Sequence, residues 1–160
     1  MSYKKNMNLG LAGEYIVAGM ISLEGIKKNE IWSASLTLKN YPCVDIFALN
    51  EKSNMHVGIQ VKSTYKQSSI LIGIKLKKDS SFEEVNNLIK CPYVFVIFDE
   101  NFQPSFYIVS RKEMVKLAII TNDEYFHKAK EGVKPEQPIA IKVKNLQPFK
   151  NKWENIWIEE

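Results

Sequence analysis

The chain has 160 residues, of which 45% are hydrophobic and 25% charged, and its formal net charge is +4. This composition is ordinary for a globular protein, and the excess of lysine permits contact with phosphate groups without requiring it. No signal-peptide pattern begins the chain and no apolar run approaches membrane-spanning length, so we expect no membrane association and a cytoplasmic location. We expect one domain over residues 1–160.

The first half of the sequence predicts a helix followed by three strands. Residues 8–24 form an apolar helical pattern that Gly25 would end, and we expect this helix to be buried on most sides. Alternating segments at 30–38, 43–49 and 56–63 predict strands. The polar loop 51–54 joins the last two as a hairpin.

The second half predicts further strands and helices. A strand at 68–76 precedes a short helix at 80–90, whose capping box is either Ser80 with Glu83 or Ser81 with Glu84. The apolar run 92–99 predicts a strand that is buried on both faces. Predicted next are a strand at 105–110, helices from Ser110 to about Ile119 and from 122 to Gly132, a strand at 138–143 and a C-terminal helical turn containing Trp153 and Trp157. This order favours a mixed α/β (α+β) fold with one sheet and helices packed against it.

Two acidic residues occupy apolar segments. Glu14 is the sole charged side chain in the first four turns of the first helix, where a carboxylate is costly unless it is paired, hydrogen-bonded or bound to a cation. A glutamate that reaches solvent at the exposed end of the helix is the alternative. Asp45 lies in a predicted strand, where aspartate is depleted, and has apolar neighbours on both sides.

The hairpin brings a third polar group to Asp45. If the loop spans 51–54, Asn50 pairs with Met55, and Asp45 then lies opposite Gln60 with Lys62 two positions further on the same face. A carboxylate, an amide oxygen and the Val61 backbone carbonyl are ligands that suit Mg²⁺, and Lys62 could stabilise developing negative charge. Cys43 and Cys91 lack metal-ligand spacing and are interpreted as free core thiols.

These residues, in this order, resemble the PD-(D/E)xK nuclease superfamily, the restriction-endonuclease-like fold. The resemblance covers about residues 8–64. It is carried by an acid on the first core helix, an aspartate on the second core strand and a (D/E/Q)-x-K tripeptide on the third, here Glu14, Asp45 and Gln60 to Lys62. It implies an αβββαβ-type core with a mixed central sheet flanked by helices. Implied with it is an endo- or exodeoxyribonuclease that uses Mg²⁺ or Mn²⁺ and has DNA as its partner.

The chain departs from the family pattern at two positions. Pro42 stands three residues before Asp45 instead of next to it, and Gln60 replaces the usual second carboxylate. The site therefore loses one formal charge, and metal binding would depend more on Glu14. Tyr65 and Lys66 follow the tripeptide and could touch a phosphate, although an exposed turn explains them equally well.

Two further interpretations of the polar set stay open. The chain could be a catalytically weak or inactive nuclease-fold module that binds DNA or serves in assembly, since its acidic set is reduced. Alternatively, the polar residues could form a satisfied core network without a ligand. Because nucleases that act on duplexes often pair two sites, a homodimer is an alternative to a monomer.

Overall fold

Seven β-strands and four α-helices follow one another over the residues that the computed structural model describes, 3–37, 43–128 and 134–158. The first half contains α1 (Tyr3–Lys27), β1 (Trp32–Leu36), β2 (Ile46–Asn50) and β3 (Met55–Tyr65). Next come β4 (Ser69–Lys77), α2 (Phe82–Leu88), β5 (Tyr93–Phe98), β6 (Pro104–Val109) and α3 (Arg111–Lys128). The order ends with β7 (Glu136–Lys142), α4 (Val143–Leu146) and two 3₁₀ turns, Gln147–Phe149 and Trp153–Trp157.

The main sheet has five strands in the order β1-β2-β3-β5-β6. β1, β2 and β3 form an antiparallel meander, β3 pairs with β5 in parallel, and β6 returns antiparallel to β5. The residues of β5 are almost entirely buried, as the continuous apolar run predicts. This mixed sheet flanked by helices confirms the predicted fold class.

β4 does not join the main sheet, so the expectation of a single sheet is wrong. It pairs antiparallel with β7 in a separate two-stranded sheet, with a register shift between Leu71 and Lys75 around Gly73, whose φ is +87°. One side of this ribbon buries Ile72, Ile141 and other apolar residues against α2, α3 and the main sheet. Alternation in a sequence predicts a strand but does not specify which strand it pairs with.

Helix α1 runs through Gly25 to Lys27, so the predicted stop at Gly25 is wrong. The left-handed residue beyond the helix is Asn29, with φ +55°. Gly25 is buried, and a Cβ atom there would lie 2.8 Å from the Cβ of Trp32. The glycine therefore allows β1 to pack against the end of α1.

Only one side of α1 is buried, contrary to the expectation for an all-round apolar helix. Val17 and Ile21 are fully buried against the sheet, whereas Tyr15 is 61% and Ile26 is 72% exposed. The segment Asn8–Lys27 is long and apolar enough to span a membrane, with a mean hydropathy of 1.3, which corrects the prediction that no run has that length. Core helices of soluble proteins satisfy the same criterion, so the helix alone does not indicate a membrane location.

The later helical segments differ from the predictions in one respect. α3 is a single helix through Lys128 and not two helices, and the predicted end at Gly132 lies outside the described residues. α2 begins at the predicted capping box, with Ser81 and Glu84 as its partners. The predicted C-terminal turn is a 3₁₀ turn that docks on the core, with Trp153 buried against Phe106 and the Trp157 ring in contact with Trp32.

Candidate active site

The β2–β3 hairpin brings Asp45 to Gln60 as predicted from the loop length. Asn50 pairs with Met55 across the turn, and the ladder continues to the Ile46–Ile59 pair. Beyond that pair, the Asp45 N–H donates to the Ile59 carbonyl at 2.8 Å, and the Gln60 side-chain amide reaches the Asp45 carboxylate. Because side chains alternate along a strand, Gln60 and Lys62 lie on the same face of β3.

The Asp45 carboxylate accepts the hydrogen bond that a backbone carbonyl of β2 would accept if the ladder continued. Its Oδ2 accepts a hydrogen bond from the Val61 backbone N–H at 2.7 Å and another from the Gln60 side-chain amide. Both bonds reach the same oxygen, so neither uses Oδ1. Gln60 is buried and Asp45 half-buried, so each polar group depends on the other for its hydrogen bond.

A turn before β2 fixes the position of Asp45. Cys43 has a φ of +63°, in the left-handed region, and its carbonyl accepts a hydrogen bond from the Cys91 thiol at 3.2 Å. The Val44 carbonyl accepts the Thr37 hydroxyl at 2.8 Å. Cys91 is buried but Cys43 is exposed, so the prediction of two core thiols is wrong for Cys43. Pro42 lies outside the described residues.

The backbone of β3 points the Val61 carbonyl toward the same edge. On the side facing β5, the Gln60 N–H donates to the carbonyl of Pro92, just before β5, and the Lys66 N–H donates to the Phe98 carbonyl. In a parallel ladder the two sides of the strand alternate, so the backbone groups of Val61 face away from β5. The Val61 N–H meets Asp45 there, and its carbonyl faces the same edge, beyond the point where the β2 ladder ends.

Lys62 lies two positions beyond Gln60 and is half-buried. Its parallel partner in β5 is Phe95, which is fully buried. Lys62 and Gln60 are two positions apart in one strand, and side chains two apart lie on the same face of a sheet. Lys62 therefore belongs to the same face as the Asp45–Gln60 pair.

Glu14 approaches the strand from the other side of the sheet. α1 packs on the face that carries Ile59 and Val61, and its Gly13 is so close to β3 that a Cβ there would lie 2.9 Å from the Cβ of Ser63. Glu14 follows Gly13 and is half-buried. At 100° per residue, it projects within about 20° of the buried Ile21 and so toward the sheet. Glu14 therefore lies on one face of the sheet, and Gln60 and Lys62 lie on the other.

Two neutral groups border the site on β5 and the loop before it. Burial raises the pKa of the Cys91 thiol to about 12, and burial also raises the pKa of the Tyr93 hydroxyl. Tyr93 is the ladder partner of Gln60. The Cys91 thiol therefore stays protonated at neutral pH.

The donors present suit a hard divalent cation held partly by water and substrate. Among the described residues, no group of three or more His, Cys, Asp or Glu side chains could enclose a metal ion. The oxygen atoms of this region are Asp45 Oδ1, the Gln60 amide oxygen and the Val61 carbonyl, with Glu14 on the other face of the sheet. Mg²⁺ commonly takes one or two carboxylates and completes its shell with water and phosphate, so these residues fit Mg²⁺ or Mn²⁺.

Tyr65 and Lys66 lie at the far end of β3 and do not join Asp45. The Tyr65 ring stacks on Phe102 with centroids 5.1 Å apart, and the Lys66 ammonium pairs with Glu100 at 2.8 Å. Lys66 has a φ of +51°, where the chain leaves the strand. A contact of either residue with DNA stays a prediction.

Sequence reasoning missed the groups that shape the site from neighbouring elements. Gly13 and Cys91 are remote from the tripeptide in sequence, and their roles depend on which strand or turn each one meets. A glycine inside a helical pattern is a general signal of close packing, and this was the one signal available for Gly13. Nothing in the sequence around Cys91 distinguishes it from an ordinary core residue.

A cavity of about 730 Å³ lies away from this site. It is lined by residues of α2, the start of α3 and the C-terminal turns, among them Phe82, Glu113 and Phe149. It contains no residue of β2 or β3.

Comparisons with known proteins add little to this description. Neither a family model nor a curated protein sequence matches the chain. Among solved structures, the chain is similar to a bacterial homing endonuclease, I-Ssp6803I, with a TM-score of 0.43 and 14% sequence identity over 96% of this chain and 89% of that one. A similarity of this size does not establish a shared fold, so the functional case rests on the residues of this chain.

Proposed function

We propose that the protein is a metal-dependent nuclease of the PD-(D/E)xK type that hydrolyses phosphodiester bonds in DNA. The observation that carries this proposal is the meeting of Asp45, Gln60 and the Val61 backbone at the edge of β3 where the β2 ladder ends, with Lys62 on the same face. The assignment to DNA comes from the resemblance of Glu14, Asp45 and the Gln60–Lys62 tripeptide to that superfamily.

In this proposal, Asp45, the Val61 carbonyl and the Gln60 amide oxygen would hold Mg²⁺ or Mn²⁺, and Glu14 would contribute from α1. A bound divalent cation would lower the pKa of a water molecule and take up charge on the phosphoryl oxygens. The Lys62 ammonium donates hydrogen bonds to a non-bridging phosphate oxygen and stabilises the charge that develops there. The Val61 N–H holds the Asp45 carboxylate in place through Oδ2.

Gln60 gives this site a property that a second carboxylate would not. Two carboxylates in hydrogen-bond range repel each other unless a cation or a proton lies between them. An amide instead donates to Asp45, so the pair is satisfied before any cation binds. With glutamine at this position the site carries one negative charge fewer than with a second carboxylate, which lowers its expected affinity for a cation.

Cleavage assays test the proposal. The purified protein is incubated with linear, nicked, branched and single-stranded DNA in Mg²⁺, in Mn²⁺ and in EDTA. We expect cleavage that depends on the cation, and we expect Lys62→Ala to abolish cleavage while DNA binding persists. Lys116→Ala is the matched control, because Lys116 lies on α3 and pairs with Glu113 on the helix surface. Unchanged activity in Lys62→Ala would exclude the proposed role of Lys62.

One observation favours a second candidate function, a non-catalytic DNA-binding or assembly module on the same fold. The Asp45 carboxylate already has two donors within the protein, so the polar set is stable without a cation. Calorimetric titration of Mn²⁺ into the wild type and Asp45→Asn separates the two functions. Binding that Asp45→Asn removes supports the nuclease. Absence of such binding, together with intact DNA in every assay, supports the module.

A further inference from the structure

A groove with three lysines lies next to the end of β3. It has a volume of about 700 Å³ and is formed where the turn from β3 to β4 meets the end of β7 and the start of α4. We call it the lysine groove. Its lining residues are Lys66, Gln67, Ser68, Ser69, Ala140, Lys142, Val143 and Lys144.

The two walls of the lysine groove are joined by backbone contacts. Ser69 pairs with Lys142 at the end of the two-stranded sheet, and the Val143 N–H donates to the Ser68 carbonyl at 2.9 Å. Lys66, with its φ of +51°, turns the chain out of β3 into this position. The groove is therefore built into the strand pairing and does not depend on flexible side chains alone.

Positive charge exceeds negative charge around the lysine groove. None of the described residues that line it is acidic. Lys142 pairs with Glu124 at 2.7 Å, and Lys66 pairs with Glu100, from outside the lining. The Lys142 ammonium lowers the pKa of Glu124, and Lys144 contributes to the same shift. Exposed ion pairs of this kind contribute little to stability, so a phosphate could replace either carboxylate.

The lysine groove lies at a useful distance from the candidate active site. Lys66 follows Lys62 by four positions, which corresponds to about 13 Å along a strand. A DNA strand carries one phosphate per roughly 3.4 Å of duplex axis, so about 13 Å covers roughly four phosphates. The Ser68 and Ser69 hydroxyls and the Gln67 amide add donors of the type that proteins use to position phosphates.

We infer that the lysine groove binds the phosphodiester backbone of DNA a few nucleotides from the bond cleaved at Lys62. This inference rests on the proposed nuclease function and extends it to a second contact region. It joins Lys66 to Lys142 and Lys144, which stand far apart from it in the sequence. The inserted β4–β7 ribbon then has a function, because it supplies one wall of the groove.

DNA binding measured by fluorescence anisotropy in EDTA, across a range of KCl concentrations, tests the inference without cleavage. Each lysine that contacts a phosphate should contribute about 0.9 to the slope of log affinity against log salt. The double variant Lys66→Gln/Lys144→Gln should lower this slope by about 2, and Lys116→Gln should leave it unchanged. A double variant with the wild-type slope would overturn the inference.

A variant of opposite sign makes the test independent of folding defects. Glu124→Gln removes the carboxylate that a phosphate must otherwise displace from Lys142, so it should tighten DNA binding at each salt concentration. Weaker or unchanged binding in Glu124→Gln would contradict the inference. If the salt slope falls in the double variant but the wild type never cleaves DNA, DNA binding by the lysine groove is supported and the nuclease proposal fails. If the wild type cleaves DNA and the double variant binds and cleaves normally, the groove alone fails.

Discussion

The two edges of β3 differ in how their backbone groups are satisfied. Toward β5, the ladder runs in register from the Gln60–Tyr93 pair to the Tyr65–Phe98 pair. Toward β2, the ladder ends at Ile59, and the next N–H, that of Val61, is taken by the Asp45 side chain. A complete ladder contributes stability and leaves no backbone group for a ligand. On the side facing β2, called the open edge below, a side chain takes the place of a backbone partner.

The largest expected effect comes from removing the carboxylate at the open edge. In Asp45→Ala, the Val61 N–H and the Gln60 amide lose their acceptor, which should lower the free energy of unfolding by about 1–3 kcal/mol. Cleavage should fall by about 100-fold or more, since charge stabilisation at the reacting phosphate is lost with the ligand. Urea denaturation and a cleavage assay measure the two effects.

Asp99→Ala is the matched control for Asp45→Ala. Asp99 Oδ1 also accepts two backbone N–H groups, those of Asn101 and Gln103, each at 2.8 Å, but it lies in the turn after β5. We expect Asp99→Ala to lose some stability and to keep full cleavage activity per folded molecule. Equal losses of cleavage in the two variants would contradict a role for Asp45 in cleavage beyond its hydrogen bonds to the backbone.

A second prediction concerns the contact between α1 and β3. Gly13→Ala places a methyl group against Ser63 and should lower the free energy of unfolding by about 1–3 kcal/mol. Gly19→Ala on the same helix meets no atom within 4 Å and should raise stability by up to about 1 kcal/mol. Thermal denaturation of both variants tests this difference, and Ser63→Gly should rescue Gly13→Ala. Equal effects at positions 13 and 19 would contradict the packing described.

A third prediction concerns the replacement of the Gln60 amide by a carboxylate. In Gln60→Glu, two carboxylates face each other, and stability in EDTA should fall by about 1–2 kcal/mol. In Mn²⁺ the same variant should bind the cation more tightly than the wild type and regain stability, by about 2.7 kcal/mol at a cation concentration 100 times the Kd. Melting temperatures with EDTA and with Mn²⁺ measure both changes. A wild type that gains more from Mn²⁺ than Gln60→Glu would contradict the site.

The smallest effect involves the thiol beside the complete ladder. Burial raises the pKa of Cys91 from 9.0 to about 12, so the folded protein keeps a proton that the unfolded chain has released. Stability from this group is full below pH 9 and is lost as pH rises toward 12. Between pH 9 and 10 the loss should be about 1 kcal/mol smaller in Cys91→Ala than in the wild type. Urea denaturation at both pH values measures it, and parallel losses would contradict the burial of the thiol.

The sequence predicts the Asp45–Gln60 pairing because a four-residue polar loop and strand alternation together define the register. It cannot predict which partner each remaining element finds. The pattern of β4 is that of any half-buried strand, so its departure to pair with β7 is a tertiary effect. The role of Gly25 depends on Trp32 packing against it, and the exposure of Cys43 depends on a left-handed turn. The lysine groove requires residues that the chain order separates widely.

The exposed thiol of Cys43 is a natural site for chemical labelling close to Asp45. Cys91 is buried and stays protonated at neutral pH, so a thiol reagent should modify Cys43 selectively in the native protein. A fluorophore or spin label placed there would stand two residues before Asp45, on the segment that carries the carboxylate. Spectroscopy could then follow cation or DNA binding at the open edge without any change to the amino-acid sequence.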